Sequence, residues 1–492
     1  MKKLAGQTAI YGVSSILGRM INLLLVPLHT RVFQTGQYGV IGYFYAQTAF
    51  LNVVLTFGME TTFFRFIQDK GNSNQIYSQA FTWILALSTL LLAIILSFYQ
   101  PIASFLGYPD YSRILIYVGI ILALDALAAL PMAMLRHQER ATRFALITLV
   151  SIFINIGFNF LFLLVMGKGL EYVFLANILG SVAKTLLALL SNPPLGLLWD
   201  PKLLRKMLNY GGFIMLAGLA GTANQMLDRL MIPYLWQEDY PFLGGNYSGD
   251  QLLGIYQAIY KLAIFIALFT QAYRYAAEPF FFRSAQDKES PQTFARVFHY
   301  YTLATLAGFL FISSFASEII SFDLSLGLAE APIYFIDDSY WLGLPVVPIL
   351  LFAYVLNGMY FNFSIWFKIT KQTRYALLFT SLGAICVFAI NYFGIPQFGF
   401  YASAWGALIC FALMALLAYT TGQKNYPIPY RIGRIGLLAC LFLLAFYINH
   451  RIGPTENMPW ISGAKLLVCF LCLGSVFLFE RSWPIKWNES NT

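Results

Sequence analysis

Long hydrophobic blocks follow one another along almost the whole chain, from Ala9 to Phe479. Most run for roughly 18 to 25 residues, the length that a helix needs to cross the ~30 Å hydrocarbon core of a bilayer. Backbone groups in lipid must be satisfied internally, and blocks of this length satisfy them as helices. Only 11% of the 492 residues are charged, against about 25% in soluble proteins. The sequence therefore predicts an all-α polytopic membrane protein with about fourteen spans, centred near Gly18, Ala49, Leu87, Ala123, Phe153, Gly180, Leu219, Ile264, Gly308, Tyr354, Ala384, Leu408, Leu441 and Cys469.

The basic residues indicate which ends of these spans face the cytoplasm. If the spans alternate in direction, most Lys and Arg residues fall on one side, and the opposite loops hold chiefly Arg31, Arg113, Lys168 and Arg451. Cytoplasmic loops of inserted proteins are enriched in Lys and Arg, so both termini are predicted to be cytoplasmic. The net charge of +9 is explained by topology and does not require nucleic acid as a partner.

One eleven-residue motif occurs twice in the chain. ETTFFRFIQDK, at 60–70, returns 218 residues later as EPFFFRSAQDK, at 278–288, with seven identities. Six predicted spans separate the copies, and an even number returns the chain to the same membrane face. We interpret the halves as parallel repeats related by an axis along the membrane normal, an arrangement that transporters place around a central path. The predicted domains are an N-lobe at 1–192, a C-lobe at 193–421 and two additional spans at 422–492.

Polar residues recur at steps of three and four in several spans, which places them on one helical face. These stripes include Arg19 with Asn22, Asn155 with Asn159, Asn177 with Ser181 and Lys184, Gln225 with Arg229, and Gln257 with Lys261. An arginine inside a span costs at least ~2.5 kcal/mol unless it meets water or a partner. The stripes favour a hydrated central cavity, and for each stripe the alternative is ordinary hydrogen bonding between helices.

Cations outnumber carboxylates in the predicted cavity, which indicates an anionic substrate. The predicted substrate-binding residues are Arg19, Asn22, Lys184, Gln225, Arg229 and Lys261. Surplus positive charge favours an anion, and an arginine binds phosphate oxygens through paired donors. The alternative is that Arg229 pairs with Asp228 and that Lys184 lies near the inner interface, which would leave little net field.

We interpret the repeated motif as two matched cytoplasmic gate or hinge elements. The charged residues that we assign to this role are Glu60 and Arg65 in one copy and Glu278 and Arg283 in the other. A spacing of five residues is poor for a pair within one helix, so bridges to neighbouring loops or between lobes are expected. The alternative is that both copies only anchor helix ends at the interface.

A family resemblance adds a functional expectation. The segment QTAIYGVSSILGRMINLLLVPLHTRVFQTGQYGVIGYF, at 7–44, followed by GMETTFFRF, at 58–66, resembles bacterial polysaccharide biosynthesis membrane proteins. These form the oligosaccharide-lipid flippase branch of the multidrug/oligosaccharidyl-lipid/polysaccharide exporter (MOP) superfamily, which includes the MATE exporters. The resemblance implies two six-helix lobes around a cavity and extra terminal helices in some members. It also implies translocation of undecaprenyl-diphosphate-linked sugars across the bacterial inner membrane by alternating access.

The same resemblance carries expectations for particular residues and partners. Arg19 occupies the place of a cavity-lining basic residue in the first helix of related lipid II flippases, and Lys261 fits the basic character of their eighth helix. The implied partners are the lipid-linked oligosaccharide, membrane lipids and other polysaccharide-assembly proteins. Net direction needs a bias, for which a coupled H+ or Na+ ion is one source, and Asp125 and Asp228 are the candidate coupling carboxylates.

Two other functions compete with this interpretation. A drug or cation antiporter of the same superfamily would need an acidic or aromatic cavity, whereas the predicted cavity is basic. A membrane polymerase or ligase would need a general base or nucleophile near an interface, but the four histidines are scattered without matched carboxylates. The chain is therefore predicted not to be an enzyme and to need neither a metal nor a cofactor.

Overall fold

A computed structural model describes residues 12, 14, 16–70, 73–192, 196–237, 242–285, 289–325, 332–453 and 459–482. Beyond a helical stretch at 16–22, its helices are α1 Leu25–Val32, α2 Thr35–Thr56, α3 Met59–Lys70, α4 Ser73–Phe105, α5 Ser112–His137, α6 Ala141–Phe160, α7 Glu171–Leu190, α8 Pro201–Leu235, α9 Gly249–Ser284, α10 Ser290–Ser314, α11 Ala316–Ile320, α12 Val347–Phe363, α13 Ile365–Ile369, α14 Arg374–Phe398, α15 Phe400–Asn425, α16 Ile432–Ile452 and α17 Pro459–Ser482. Within these ranges, β structure is limited to two isolated bridges, Phe242 with Gly245 and Asp323 with Tyr334.

The all-helical membrane fold predicted from the sequence is confirmed, whereas the count of fourteen spans is not. Twelve helical segments of the described residues are long and apolar enough to cross a membrane. The predicted first span lies partly outside the described residues. The predicted seventh span corresponds to α8, which has 35 residues but is not one of the twelve, because charged and amide side chains such as Asp228, Arg229 and Asn224 interrupt its apolar sequence.

The chain forms two compact units. The first comprises Met1–Tyr234 with Gly249–Gly254, and the second comprises Leu235–Ser248 with Ile255–Thr492. Almost all of α8 therefore belongs to the first unit. The lobe bounds at 1–192, 193–421 and 422–492 stay a prediction, because compactness does not by itself identify a duplicated unit.

In the first unit, the starts of α2 and α9 cross with their backbones in contact. A Cβ atom added to Gly39 would lie 1.9 Å from the carbonyl oxygen of Asp250, and one added to Gly254 would lie 1.8 Å from that of Thr35. Only residues without a Cβ permit this approach, as at the small-residue crossings of other membrane helices. The contact is reciprocal: each glycine meets the carbonyl of the residue four positions before the other glycine.

The repeated motif begins differently in the two units. In the first unit, α2 ends at Thr56, and Phe57 and Gly58 adopt left-handed φ values of 49° and 64° before α3 carries the motif. Glycine adopts this conformation freely, whereas in Phe57 it stores strain of roughly 1–3 kcal/mol. In the second unit the first seven residues of the motif, 278–284, lie within α9, which continues without a break to Ser284.

The last two helices, α16 and α17, make polar contacts with each other and with the rest of the second unit. The Nζ atom of Lys465 on α17 lies 2.6 Å from Oε1 of Glu318. Glu480, near the other end of α17, lies 2.9 Å from Nη2 of Arg434 on α16 and 3.1 Å from Nε2 of His299 on α10. These contacts lie at opposite ends of a helix of 24 residues, so both ends of α17 are held against the rest of the unit.

Replacing Lys465 should weaken this attachment and change its dependence on pH. Burial, the largest influence, tends to raise the pKa of Glu318, but hydrogen bonds from Lys465, Ser317 and the backbone lower it overall from 4.5. A carboxyl group whose pKa is lowered by folding stabilises the fold at pH values above its unfolded-state pKa. This stabilisation is lost as the pH falls through the folded-state pKa. Lys465→Ala should cost about 2 kcal/mol at neutral pH. Between about pH 7 and pH 3, the melting temperature of Lys465→Ala should fall less on acidification than that of the native chain. If the two proteins show the same dependence of melting temperature on pH, this prediction is contradicted.

Candidate functional site

Asp125 and Lys184 form an ion pair inside the first unit. The Nζ atom of Lys184 on α7 lies 3.4 Å from Oδ1 of Asp125 on α5, and the hydroxyl of Ser181, one turn before Lys184, donates to the same oxygen at 3.2 Å. About a third of each charged side chain is exposed, 32% for Lys184 and 30% for Asp125. Lys184 thus offers a neutralised pair, and the structure brings a predicted binding residue together with a predicted coupling residue.

Arg229 is buried beside Asp228 on α8. Its Nη1 donates to the carbonyl of Gln225 at 2.6 Å and lies 3.4 Å from Oδ1 of Asp228. The side chains of Arg229 and Asp228 are only 10% and 9% exposed. This geometry fits the alternative in which Arg229 pairs with Asp228. The Gln225 side chain, by contrast, is exposed.

The other predicted binding residues are more accessible. Arg19 and Asn22 are both exposed on the helical stretch at 16–22, and Lys261 on α9 is half-buried. Three polar residues that precede Arg19 at steps of three and four, Thr8, Tyr11 and Ser15, belong to the same predicted stripe and lie outside the described residues. Arg19 is therefore the sequence-predicted cation that presents its guanidinium at the surface of the described first span.

Asparagines of two polar stripes, Asn159 and Asn177, form hydrogen bonds with side chains of other helices within the first unit. His29 Nε2 and Asn159 Oδ1 are 3.0 Å apart, and the Asn159 amide donates to the side-chain oxygen of Asn155 at 3.0 Å. The amide of Asn177 donates to the Tyr45 hydroxyl at 3.2 Å. These asparagines act as hydrogen-bonding links between helices, which is the alternative reading of their spacing.

Sequence reasoning missed Arg274, an exposed cation on α9 in the second unit. Its guanidinium carbon lies 4.8 Å from the ring centre of Phe361, and Nζ of Lys368 lies 4.8 Å from the same centre. The two charges are therefore at most twice that distance apart. Glu278 binds Lys368, with Oε1 and Nζ 2.6 Å apart. Two cations thus lie on one ring, and the carboxylate beside them is bound to Lys368. The steps of three and four from Gln271 to Arg274 and Glu278 were the available signal.

The two glutamates of the repeated motif form ion pairs inside their own units. Oε1 of Glu60 lies 2.5 Å from Nη2 of Arg136 in the first unit, as Glu278 binds Lys368 in the second. Arg65 is exposed, and the side chain of Arg283 lies outside the described residues. Each glutamate thus bridges to the end of another helix in its own unit, whereas the sequence led us to expect bridges to neighbouring loops or between lobes. The role of the motif in gating stays a prediction.

Within the described ranges, no three His, Cys, Asp or Glu side chains lie close enough together to hold a metal ion. The prediction that the chain uses no cofactor stays a prediction.

Comparison with known proteins places the chain in a family. A model of the family described as polysaccharide biosynthesis protein matches residues 28–327. No curated protein matches the sequence.

Solved structures share the fold at low sequence identity. Lipid II flippase MurJ in an inward closed conformation aligns with a TM-score of 0.75 and 13% identity, over 96% of this chain and 99% of MurJ. An inward-facing multidrug resistance MATE transporter aligns with a TM-score of 0.63 and 15% identity, over 87% of this chain and 99% of the transporter. A MOP superfamily transporter from Pyrococcus furiosus aligns with a TM-score of 0.56 and 14% identity, over 86% of this chain and 94% of that transporter. The chain therefore belongs to the polysaccharide biosynthesis protein family and is a multi-pass membrane protein with the fold of the MOP superfamily.

Proposed function

We propose that this chain is a flippase that translocates undecaprenyl-diphosphate-linked oligosaccharide across the bacterial inner membrane during surface polysaccharide biosynthesis. It acts by alternating access, with both termini in the cytoplasm, and catalyses no covalent reaction. Family membership supports the link to polysaccharide biosynthesis. The fold shared with MurJ over 96% of the chain is consistent with a lipid-linked cargo.

The observation that carries the proposal is the excess of positive charge around Phe361. Arg274 and Lys368 lie on this ring with Glu278 as the carboxylate bound to Lys368. A diphosphate headgroup cannot cross hydrocarbon unaided, because removing its hydration costs far more than lipid returns. Guanidinium and ammonium groups replace that hydration with charge-assisted hydrogen bonds. Arg274, which is exposed, is the group best placed to bind a phosphate without first breaking an ion pair.

The first unit supplies fewer available cations. Lys184 is neutralised by Asp125 and Arg229 by Asp228, so Arg19 is the remaining predicted cation there with an exposed side chain. Within the first unit, Arg19 is the cation proposed to bind phosphate, and Asn22 and Gln225, which are also exposed, are proposed to contact sugars or phosphate oxygens. Within the second unit, Lys261 is proposed to add positive charge to that of Arg274. Asp125 and Asp228 are the carboxylates to test for coupling to H+ or Na+.

Reconstitution into liposomes with a labelled prenyl-diphosphate oligosaccharide tests the proposal. The native chain should move the label between leaflets, and Arg274→Ala should slow that movement about tenfold, because it removes a hydrogen bond from a charged group to phosphate. Arg205→Ala, at an exposed position on α8, is the control and should transport normally. Failure of the native chain to move the lipid, together with proton- or sodium-driven export of a cationic drug, would favour the antiporter instead.

A further inference from the structure

The repeated motif is accompanied by a second duplicated feature, at the ends of the helices that its glutamates bind. Arg136 in α5 and Lys368 in α13 each lie one residue before the last residue of their helix. Three residues beyond each cation the backbone is left-handed, with φ 56° at Glu139 and 58° at Lys371. Each helix end therefore turns in the same way after its cation.

The hydrogen bonds of the two ends follow one pattern. In both, three consecutive amides bond to carbonyls four, three and five residues earlier. The bonds are Gln138 to Met134, Glu139 to Arg136 and Arg140 to Leu135 in the first unit, and Thr370 to Trp366, Lys371 to Lys368 and Gln372 to Phe367 in the second. This pattern satisfies the last carbonyls of a helix that ends in a left-handed residue. Arg136 and Lys368 thus occupy equivalent positions in the repeats.

The sequence after these turns is duplicated as well. TRFAL, at 142–146, corresponds to TRYAL, at 373–377, with four identities in five. The copies begin six residues after Arg136 and five after Lys368. The partner of each glutamate is therefore encoded by its own repeat, although the cation itself is Arg in one copy and Lys in the other.

The motif also reaches the third span of its repeat. Phe63 and Phe281, the equivalent aromatic residues of the two copies, are fully buried. Phe63 packs edge-on against Tyr77 of α4, with ring centres 6.1 Å apart, and Phe281 packs in the same way against Phe294 of α10, at 5.0 Å. In each unit the motif thus contacts the third span through a buried aromatic ring and the fourth span through a carboxylate.

We propose that Glu60 with Arg136, and Glu278 with Lys368, are duplicated clamps: positioning residues that join the cytoplasmic ends of the second and fourth spans of their own repeat. The clamps make these helix ends move as one body when the protein changes conformation. The effect on transport rests on the proposed function, whereas the coupling of the helix ends does not.

The exposure of the pairs argues for positioning rather than for stability. The charged side chains are 44% exposed for Glu60 and 31% for Arg136, and 38% for Glu278 and 23% for Lys368. Ion pairs this accessible contribute little to the free energy of unfolding. Each pair stabilises the fold little, yet it recurs in both repeats together with the same helix end, buried aromatic ring and turn. Its recurrence is therefore better explained by the two helix ends that it joins.

Hydrogen exchange on the full chain in lipid nanodiscs tests the clamp without a substrate. Glu60→Gln and Arg136→Gln should each raise exchange about two- to fivefold in 59–70 and in the last turns of α5, and in no other helix end. The charge swap Glu60→Arg with Arg136→Glu should restore protection, whereas each single reversal should raise exchange further. Arg205→Gln is the control. Native-like exchange in both single variants, or failure of the swap to restore protection, would overturn the clamp.

The second clamp and a transport assay complete the test. Lys368→Arg should keep native exchange in α9 and α13, whereas Lys368→Gln should raise it, so the inference remains testable if the Glu60 variants do not accumulate. In liposomes, Glu60→Gln should slow movement of the labelled lipid at least fivefold, with recovery in the swap. If the native chain moves no lipid, the proposed function fails while the exchange result still decides the clamp. Unaltered exchange in Lys368→Gln would count against it.

Discussion

Gly39→Ala should destabilise the first unit by about 3 kcal/mol or more, because the new methyl group would overlap a backbone carbonyl. The Cβ atom would lie 1.9 Å from the oxygen of Asp250 and 2.8 Å from its carbonyl carbon. Neither atom can turn away as a flexible side chain could, so α2 and α9 would have to separate. Gly254→Ala should have a similar effect, since its Cβ would lie 1.8 Å from the carbonyl oxygen of Thr35. Thermal unfolding in detergent measures both losses.

Gly36→Ala is the matched control for this experiment. Gly36 lies on the same helix, but its added Cβ would meet Gln251 Cγ at 3.5 Å, an ordinary contact. Alanine inside a helix is favoured over glycine by roughly 0.5–1 kcal/mol, so this variant should be as stable as the native chain or slightly more stable. Equal melting temperatures for Gly39→Ala and Gly36→Ala would show that the two helices do not cross as closely as described.

The sequence predicts the class of fold because membrane insertion leaves a strong pattern. A block such as 114–135 needs only length and apolar side chains to be recognised as a span. The α8 helix is harder, because Asn224, Asp228 and Arg229 lower its hydropathy while tertiary contacts bury them. The duplication is readable from the motif that begins at Glu60, since identical residues report a common origin. The break at Phe57 is not readable, because nothing in the residue type predicts a left-handed phenylalanine.

Site residues are predicted less well, because a helical stripe fixes a face but not what that face meets. The stripe through Ser181 and Lys184 does bring its cation to a carboxylate, Asp125, but that acid lies 59 residues earlier and no local pattern joins them. Arg274 was overlooked because it lies among aromatic residues. Its importance comes from Lys368 on the same Phe361 ring, and only the folded chain brings these residues together.

The two glutamates of the motif illustrate the same limit. Their repetition is visible in the sequence, and it predicts bridges to neighbouring loops or between lobes. The identity of Arg136 and Lys368 as partners is not visible there, since the two cations differ in type and lie 76 and 90 residues after their glutamates. The equivalence emerges from backbone hydrogen bonds and from the left-handed turns at Glu139 and Lys371. In this chain, repetition of backbone geometry identifies partners that repetition of residues does not.

Arg229→Ala should lower the free energy of unfolding by about 3–5 kcal/mol, the usual loss when one partner of a buried ion pair is removed. Arg229 and Asp228 are 8% and 6% exposed, and the guanidinium also donates to the Gln225 carbonyl at 2.6 Å. Removing it leaves the Asp228 carboxylate buried without the positive charge beside it. Asp228→Asn combined with Arg229→Ala should lose less than the sum of the two single variants, Asp228→Asn and Arg229→Ala, because neither charge then remains. Chemical or thermal unfolding of the four proteins gives the cycle.

The same cycle separates a structural arginine from one that binds substrate. Arg205→Ala, on an exposed turn of the same helix, should change stability by no more than about 0.5 kcal/mol. Arg229→Ala could instead melt like Arg205→Ala but transport the lipid-linked oligosaccharide far more slowly. In that case the main role of Arg229 is not the buried ion pair, and its guanidinium must reach the diphosphate during transport. If stability falls as expected and the double variant recovers both stability and transport, Arg229 serves the packing of α8, and the anion-binding charge of the first unit is left to Arg19.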